Sequence, residues 1–371
     1  MIDSGIDSGI DSGRGAALAP GGAIGILGGG QLGRMLSIAA ARLGLKTHIY
    51  EPGANPPAGD VAAAVTTAAY DDTEALARFA AGVDVVTFEF ENVPAPAAAT
   101  LMAHAPVRPP PRALEISQDR VAEKVFIEGL GIAVAPWRAA GDLGELKAAL
   151  AEIGAPAILK TRRLGYDGKG QVRIGDASGA AAAWDAIAGA PAILEGLVAF
   201  QREISVIGAR GLAGEVVCYD PGENVHRGGI LHTTTVPAQI TRAVRMDAVL
   251  IAGKILNALE YVGVMGIELF QAPDGALVVN EIAPRVHNSG HWTIEACVVD
   301  QFQQHIRAVA GWPLGDGSRH SDAVMTNLIG AEAEDWRTLA GGGGGLHLYG
   351  KRQARPGRKM GHLTRIRPRS G

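Results

Sequence analysis

A predicted β-hairpin places two acidic side chains opposite each other. Asp274-Gly275 is typical of a two-residue hairpin turn, and it lies between predicted strands at 264–271 and 276–281. Counting outward from that turn pairs Glu268 with Glu281. Directly opposed like charges destabilise a hairpin, and Mg²⁺, which prefers carboxylate and phosphate oxygens, removes the repulsion. Both glutamates are therefore predicted to bind magnesium. In the alternative register, slipped by one residue, they lie on a solvated edge.

A glycine-rich segment, GYDGKGQ at Gly165 to Gln171, connects two predicted strands, 157–161 and 171–174. Its glycines let backbone amides approach an anion closely, and Lys160 and Lys169 add positive charge nearby. A P-loop leads into a helix, so this segment is not a P-loop. We predict a flap that closes over a triphosphate. An ordinary hairpin loop is the alternative.

Three further polar residues lie between these two features. Glu195 and Glu203 flank a short connector, and an acid at a strand end can accept hydrogen bonds from an adenine amino group or a ribose hydroxyl. Taken singly, each of these acids is more typical of a solvated strand end. The loop histidine His226 is likewise more typical of polar surface.

A dense polar run follows Glu281 directly. Five side chains with polar groups stand between Pro284 and Trp292, namely Arg285, His287, Asn288, Ser289 and His291. Such a density is unusual for a solvated loop and favours binding of a phosphate or a polar heterocycle. The segment from Arg355 to Lys359 carries three more positive charges. Isolated basic runs are mostly solvated, so this segment supports the same interpretation only if it folds towards the site.

The segment Gly28 to Gly33 fits the pattern G-x-G-x-x-G between a predicted strand and a predicted helix, and Glu51 ends the next strand. This is a dinucleotide-binding fingerprint, which alone suggests an NAD-dependent dehydrogenase. A tight turn or an anion-binding helix N-terminus explains the same residues. Only about 90 residues of alternating pattern follow before the next unit, which is short for the two-half dinucleotide fold.

Two kinds of hydrophobic pattern position these residues. Up to about residue 118, strands at 23–27, 46–50 and 83–90 alternate with helices at 31–43 and 73–81, which indicates a parallel sheet. Beyond it, strands predominate, and the fold class is α/β and α+β. The predicted helices there are 119–129, 142–153, 241–260 and 293–310, and the further strands are 192–198, 203–208, 214–219, 230–236, 324–329 and 346–349.

Composition narrows the class of protein. The 371 residues carry a net charge of -4 and are 47% hydrophobic, so neither general nucleic-acid binding nor global disorder is expected. No apolar run reaches the roughly 18 residues of a membrane span, so no membrane partner is expected. With two cysteines, Cys218 and Cys297, a reducing cytoplasm is a better fit than a disulfide framework. The repeated Ile-Asp-Ser-Gly start is predicted to belong to a disordered extension, 1–20.

Four stretches together resemble the N5-carboxyaminoimidazole ribonucleotide synthases, an ATP-grasp family of purine biosynthesis: GGGQLGRM, GYDGKGQ, NEIAPRVHNSGHWT and RPGRKMGHL. The resemblance implies an ATP-grasp fold with an N-terminal Rossmann-like (pre-ATP-grasp) domain at 21–118. The ATP-grasp domain would span 119–312, with a small subdomain at about 119–190 and a large one at about 191–312. A small C-terminal domain, 313–371, looks shortened against the family pattern.

The resemblance also assigns roles to individual residues. Lys160 and Arg285 would act in catalysis, and Glu268 and Glu281 would hold Mg²⁺. The residues implied to contact ATP are Arg120, Lys160, Gly165, Tyr166, Asp167, Gly168, Lys169, Gly170, Gln171, Glu195, Gly196, Leu197, Val198, Glu203, His226, Asn280 and Glu281. Those implied to contact the ribonucleotide are Gly30, Gln31, Leu32, Glu89, Arg285, His287, Asn288, Ser289, His291, Lys351, Arg358 and Lys359.

The reaction implied by the resemblance joins ATP, bicarbonate and 5-aminoimidazole ribonucleotide through carboxyphosphate, in a cytoplasmic homodimer. Three other functions stay open at this point. Another ATP-grasp ligase, such as a formate-dependent glycinamide ribonucleotide transformylase or a biotin carboxylase, would keep the two acids and change the nucleophile. An NAD-dependent dehydrogenase would use the first glycine motif. A non-catalytic protein would bind ATP without turnover.

Overall fold

The computed structural model describes residues 17–165 and 170–370. Residues 1–16 of the predicted extension lie outside this range. The remainder of that extension is ordered, contrary to the prediction, because it is tied to the chain near Trp312. The Leu18 backbone N–H donates to the Ala310 carbonyl at 2.8 Å, and the Trp312 indole donates to the Leu18 carbonyl at 2.7 Å.

The N-terminal unit is a four-stranded parallel sheet with helices packed on it. Strand order is β3-β2-β1-β4, and the core includes Ile24, Ile26 and Ile49, all fully buried. The elements are β1 (Ala23–Leu27), α1 (Gln31–Arg42), β2 (Lys46–Tyr50), β3 (Ala64–Thr66), α2 (Thr73–Ala81), β4 (Val85–Phe88), α3 (Ala95–Met102) and α4 (Pro111–Ser117). The predicted parallel sheet is confirmed.

The second unit is a small antiparallel sheet with its own core. Strand order is β5-β8-β6-β7, and Leu146, Leu159 and Leu194 are fully buried beneath its helices. Its elements are α5 (Arg120–Gly129), β5 (Trp137–Ala140), α6 (Leu143–Ile153), β6 (Ala157–Thr161), β7 (Gln171–Ile174), α7 (Ala180–Ala186) and β8 (Ala192–Gly196).

The rest of the chain builds one large antiparallel sheet. The elements are β9 (Arg202–Arg210), β10 (Val216–Cys218), β11 (Gly222–Arg227), β12 (Ile230–Val236), α8 (Arg242–Ala258), β13 (Gly263–Gln271), β14 (Leu277–Ala283), α9 (Thr293–Ala296), α10 (Gln301–Val309), β15 (Ser321–Ile329), α11 (Trp336–Gly341), β16 (Gly345–Leu348) and β17 (Lys359–Pro368). Strand order is β14-β13-β9-β11-β12-β15-β17-β16, with β10 beside β9. Because β15 pairs with β12, this sheet continues across the predicted boundary at 312/313.

Two of the differences between the predicted elements and the structure affect the parts of the chain that carry the site. Strand β11 was not predicted, and the helix predicted at 293–310 is two helices, α9 and α10. The break occurs because Cys297 adopts an extended conformation and Asp300 caps α10, accepting from the Phe302 and Gln303 amides at 2.9 Å. No helix in 17–165 or 170–370 combines the length and apolar character needed to cross a membrane.

Candidate active site

Strands β13 and β14 bring Glu268 and Glu281 opposite each other, as predicted, but the turn is different. Three residues, Pro273 to Gly275, form it, because the Ala272 amide donates to the Ala276 carbonyl at 2.8 Å. This shifts the register by one residue near the turn. A bulge on β14 at Asn280 shifts it back before Glu268 is reached. The predicted pairing is confirmed, and the predicted two-residue turn is wrong.

The pair is electrostatically strained without a cation. Burial, together with the charge of Glu281, raises the pKa of Glu268 to about 7. Cationic groups partly offset this charge: His226 and Lys359 act against the rise in the pKa of Glu268, and an Arg120 guanidinium nitrogen lies 3.3 Å from Glu281 Oε2. His287 Nε2 lies 3.4 Å from Glu268 Oε1, but burial keeps the pKa of His287 well below its ordinary value, so this imidazole is neutral. Two carboxylates that disfavour each other's ionisation form a donor set that fits a hard divalent ion such as Mg²⁺.

A buried row of charges runs from this pair to the small sheet. Lys124 Nζ donates to the Asn280 carbonyl at 2.7 Å and lies 3.9 Å from Glu195 Oε1, while Lys160 Nζ donates to Glu195 Oε2 at 2.8 Å. Burial by itself would raise the pKa of Glu195, but the two lysines hold it below its ordinary value. Glu195 therefore orients Lys160 and Lys124. The sequence predicted a different role for it, as an acceptor for an adenine amino group or a ribose hydroxyl.

Sequence analysis missed Glu123 and Lys124 on α5. Both are almost completely buried, on the same side as the core residue Ile127. Glu123 Oε1 accepts from the Ile282 amide at 2.6 Å, and burial raises the pKa of this carboxyl to about 7. Two charged residues on the apolar side of an amphipathic helix were the available signal, since such residues are rarely buried without a partner.

The structure describes the two ends of the glycine-rich segment, Gly165 on one side and Gly170 with Gln171 on the other. The Gly165 carbonyl accepts from Arg120 at 3.4 Å, and the Gly170 carbonyl accepts from the Thr161 amide at 2.7 Å. Gly170 has a φ of +70°, which favours glycine. Gln171 pairs with Lys160 across β6 and β7. The predicted ATP contacts Tyr166, Asp167, Gly168 and Lys169 lie outside the described residues.

Gly196, Leu197 and Val198 lie where the chain passes from β8 in the small sheet to β9 in the large one. Leu197 remains 44% exposed there, which leaves an apolar side chain available to a ligand. On the large sheet, Glu203 and His226 lie on neighbouring strands and their side chains are in direct contact. Burial lowers the pKa of His226, but Glu203 outweighs burial and raises it above its ordinary value.

The first glycine motif is filled by the protein's own acids. Glu51 accepts from the Gly29 amide at 2.8 Å, and Glu89 accepts from the amides of Gly30 and Gly33 at the start of α1. A Cβ built at Gly30 would lie 2.6 Å from the Glu89 carboxylate. The glycines thus make room for Glu89, and the amides that would bind a dinucleotide's pyrophosphate are occupied.

A cavity of ≈ 590 Å³ opens beside this loop. Four of its lining residues were predicted to contact the ribonucleotide: Gly30, Glu89, Lys351 and Arg358. Five polar lining residues were not predicted: Glu51, Asn55, Tyr70, Arg352 and Gln353. Tyr70 lies in a loop that contains no recognisable motif. Glu51 carried a signal only as the acidic residue of the dinucleotide-binding fingerprint. Of the basic residues in the segment from Arg355 to Lys359, Arg358 lines this cavity beside the glycine loop.

The polar run after β14 is held mainly by internal bonds. Arg285 forms an ion pair with Glu91 that raises the pKa of the guanidinium despite burial, which opposes it. Ser289 Oγ lies 2.8 Å from His287 Nδ1, Asn288 exchanges two hydrogen bonds with Asn327, and His291 is bonded to Gln301 at 2.9 Å. Asn288, Ser289 and His291 are buried, so they shape the loop that carries Arg285 and His287.

Eight predicted substrate residues are not among those that line the cavity in the described part of the chain: Gln31, Leu32, Arg285, His287, Asn288, Ser289, His291 and Lys359. His287 instead faces Glu268 of the acid pair, and the Lys359 carbonyl accepts from Lys351 Nζ at 2.7 Å. Arg285 and His287 therefore lie between the acid pair and Glu91, which is two residues from the cavity residue Glu89.

The chain contains a parallel-sheet domain followed by two antiparallel sheets, and a row of buried charges connects those two sheets. This arrangement is that of an ATP-grasp protein. Residues 125–302 match the ATP-grasp domain family, and residues 22–118 match the ribonucleotide synthetase preATP-grasp domain. Residues 323–370 match the phosphoribosylaminoimidazole carboxylase C-terminal domain. The three matches fall on the parallel-sheet unit, the two antiparallel sheets and the C-terminal strands, while Arg120, Glu123 and Lys124 lie in the short gap between the first two matches.

Individual relatives narrow the class to one family. The chain is 57% identical to N5-carboxyaminoimidazole ribonucleotide synthase of Brucella melitensis, over 95% of this chain and 99% of that protein. The ADP complex of the Staphylococcus aureus synthetase superposes with a TM-score of 0.91 at 35% identity, covering 95% of each chain. The Aspergillus clavatus synthase bound to ADP and 5-aminoimidazole ribonucleotide gives 0.87 at 31% identity, covering 94% of each. The chain belongs to the N5-carboxyaminoimidazole ribonucleotide synthase family.

Proposed function

We propose that this protein carboxylates 5-aminoimidazole ribonucleotide on its exocyclic amine, using ATP, Mg²⁺ and bicarbonate, in purine biosynthesis. Bicarbonate attacks the γ-phosphate of ATP, which gives carboxyphosphate and ADP. Carboxyphosphate releases carbon dioxide and phosphate within the site, and the amine captures the carbon dioxide. Family membership and the Aspergillus clavatus complex support the choice of substrate.

The observation that carries the proposal is the opposed pair Glu268 and Glu281 beside Arg120. Such a pair would hold Mg²⁺ at the terminal phosphates. When bound, the ion supplies positive charge that offsets the negative charge of the triphosphate. An acid pair of this kind has no function in hydride transfer, which removes the reason to assign a dehydrogenase.

The cationic side chains are oriented before any nucleotide enters. Glu195 holds Lys160 of the small sheet and Lys124 of helix α5, and Glu281 holds Arg120 next to Gly165 at the start of the glycine-rich segment. Lys160 and Arg120 are proposed to stabilise charge on the transferring phosphoryl group, which preorganised groups do at no reorganisation cost. Closure of the flap from Gly165 to Gln171 would keep water away from carboxyphosphate.

The ribonucleotide is proposed to occupy the ≈ 590 Å³ cavity. Lys351, Arg352 and Arg358 give one wall a positive charge that suits a phosphate. Glu89, which follows β4 and bonds to the amides of the glycine loop, also lines this cavity, where its carboxylate can accept from the aminoimidazole. Arg285 and His287, between this cavity and the acid pair, are suitably placed to meet bicarbonate or carboxyphosphate.

A coupled assay of ADP release tests the proposal. With ATP, Mg²⁺ and bicarbonate present, ADP should form only when 5-aminoimidazole ribonucleotide is added. Release that requires glycinamide ribonucleotide and formate would instead identify the alternative ligase. In the variant Lys351→Ala, the KM for the ribonucleotide should rise while the KM for ATP is retained, and the exposed His104→Ala serves as the control.

The proposal extends to a homodimer in the cytoplasm. The family resemblance supports both statements, and the free thiols of Cys218 and Cys297 are consistent with a reducing compartment. Sedimentation at micromolar concentration tests the dimer directly. A single monomeric species would refute that part and leave the catalytic proposal standing.

A further inference from the structure

A second group of potential metal ligands lies in the C-terminal part of the large sheet. His347 on β16 pairs directly with His362 on β17, so both side chains leave the same face of the hairpin. Glu295 reaches them from α9. One ligand atom from each of the three residues can be chosen so that all lie within 4.8 Å of one another. None of these residues has a role in the reaction proposed above.

Two atoms of this group are buried without a hydrogen-bond partner among the described residues: His362 Nε2 and Glu295 Oε2. The other polar atom of each of these two side chains does have a hydrogen-bond partner. Tyr349 Oη lies 2.9 Å from His362 Nδ1, and His347 Nε2 lies 2.6 Å from Glu295 Oε1. Burying a polar atom without a partner is costly, and a bound ion removes that cost.

We propose that Glu295, His347 and His362 bind one divalent transition-metal ion of the zinc class. Two imidazole nitrogens and one carboxylate oxygen suit Zn²⁺ and its neighbours, whereas Mg²⁺ prefers oxygen ligands alone. Because His362 Nδ1 is bonded to Tyr349, its buried and unpartnered Nε2 is the atom that can donate a lone pair to the ion. The hydrogen bond to Tyr349 fixes the orientation of this ring, as outer partners do at metal sites.

Binding requires one local movement. Ligand atoms around a tetrahedral ion lie roughly 3–4 Å apart, given metal–ligand bonds of about 2 Å. The rings of His347 and His362 are stacked with centroids 4.6 Å apart, and an ion lies in the plane of each ring that binds it. The His347 ring must therefore turn. It can do so because its side chain is 31% exposed, whereas His362 is enclosed.

His291, whose ring centroid is 4.9 Å from that of His362, is not a fourth ligand. Gln301 Oε1 accepts from the His287 amide, so its Nε2 donates to His291 Nδ1. The proton of His291 is then on Nε2, and no lone pair remains there for a metal. Three protein ligands leave the fourth position to water.

The ion would connect α9 to the hairpin that leads into the substrate cavity. Strand β16 continues through Tyr349 to the cavity residues Gly350 and Lys351, while α9 follows the loop of Arg285 and His287. A metal bond between them would fix the part of the cavity that contains Lys351 relative to the loop of Arg285 and His287. The role is one of positioning, so metal binding is measurable without ATP, ribonucleotide or activity.

Titration of the full-length, chelator-treated protein with Zn²⁺ tests the site. Calorimetry should give one ion per chain, and Co²⁺ should produce the visible absorption of a tetrahedral complex. His347→Ala and Glu295→Gln should each lower the affinity at least about tenfold, the loss that even an outer partner can cause. His104→Ala, an exposed histidine in the N-terminal unit, should bind like the unmodified protein.

Tyr349→Phe provides a second variant that keeps the ring and removes only the hydroxyl bonded to His362. It should weaken Zn²⁺ binding about 10–100-fold with an unchanged circular dichroism spectrum. The proposal is overturned if the unmodified protein binds no stoichiometric Zn²⁺. It is also overturned if binding survives in both His347→Ala and Glu295→Gln, because the ion is then held elsewhere.

Discussion

Glu89 in the N-terminal loop and Glu268 in the large sheet are both buried carboxyls, and burial raises the pKa of each. Their partners differ. Glu89 accepts from two backbone amides at the start of α1, a helix without a local side-chain cap. Glu268 faces a second carboxylate, Glu281, and the charges of His226 and Lys359 offset this repulsion only in part, because the pKa of Glu268 is still raised.

The difference separates an acid that the protein itself satisfies from an acid pair that needs a bound cation. Amides at a helix N-terminus satisfy a carboxylate within the protein, so Glu89 stabilises the glycine loop whether or not a substrate is bound beside it. Two opposed carboxylates in a partly enclosed site stay unfavourable until a cation binds. Neutralising Glu89 should therefore lower the free energy of unfolding, whereas neutralising Glu281 of the acid pair should lower the rate of catalysis.

The largest expected effect is on catalysis at the second site. Glu281→Gln should reduce the rate of ADP release by about 10²–10³-fold, because one negatively charged ligand for the ion at the phosphates is lost. Its unfolding temperature should stay close to that of the unmodified protein, since Glu281 is 40% exposed. Glu74→Gln, at a fully solvated position, is the matched control. Unchanged turnover in Glu281→Gln would remove the basis for the metal assignment.

At Glu89 a smaller effect is expected, and it concerns stability and not the response of catalysis to Mg²⁺. Glu89→Gln should lower the free energy of unfolding by about 1–3 kcal/mol, because an amide NH₂ then faces a backbone N–H that had an acceptor. Urea unfolding measures this, with Glu74→Gln again as control. The Mg²⁺ concentration required for half-maximal activity should not change. A Glu89→Gln protein as stable as its parent would show that other groups satisfy the Gly30 and Gly33 amides.

The smallest effect is a difference in pH dependence. A folded-state pKa of about 7 for Glu268 lies above its ordinary 4.5, so the folded protein binds this proton more tightly than the unfolded chain does. Without metal, stability should fall as the pH rises from about 4.5 to about 7, with roughly 1–3 kcal/mol from this residue.

Glu268→Gln isolates that contribution, because Glu123 also has a pKa near 7 and is retained in the variant. Urea unfolding at pH 5 and pH 8 should therefore show a shallower loss for Glu268→Gln than for the unmodified protein. Saturating Mg²⁺ should reduce the loss in the unmodified protein, since the ion competes with the proton. Equal losses in both proteins would indicate that the repulsion between Glu268 and Glu281 is already relieved.

Much of the fold was predictable because its signals are local. Alternating strands and helices indicated the parallel sheet, and the starts and ends of α1, α2, α5 and α6 fell within a residue or two of their predicted positions. Short segments such as β3 and β5 were missed, because three or four residues carry too little periodicity. The sequence showed that polar residues are dense between Pro284 and Trp292. It did not show that Asn288, Ser289 and His291 are buried, because their burial depends on partners far along the chain.

The sequence by itself determined which residues were available for chemistry: an acid pair near a turn, a lysine beside a glycine flap, and a dense polar run. The tertiary structure decided how they are used. Strand β9 pairs with nine consecutive residues of β13, so the irregularity falls on β14, and the bulge at Asn280 restores Glu268 opposite Glu281. Likewise Glu89 fills a glycine loop 56 to 59 residues away. Local patterns do not encode such pairings, because they depend on contacts that form only when distant segments pack together.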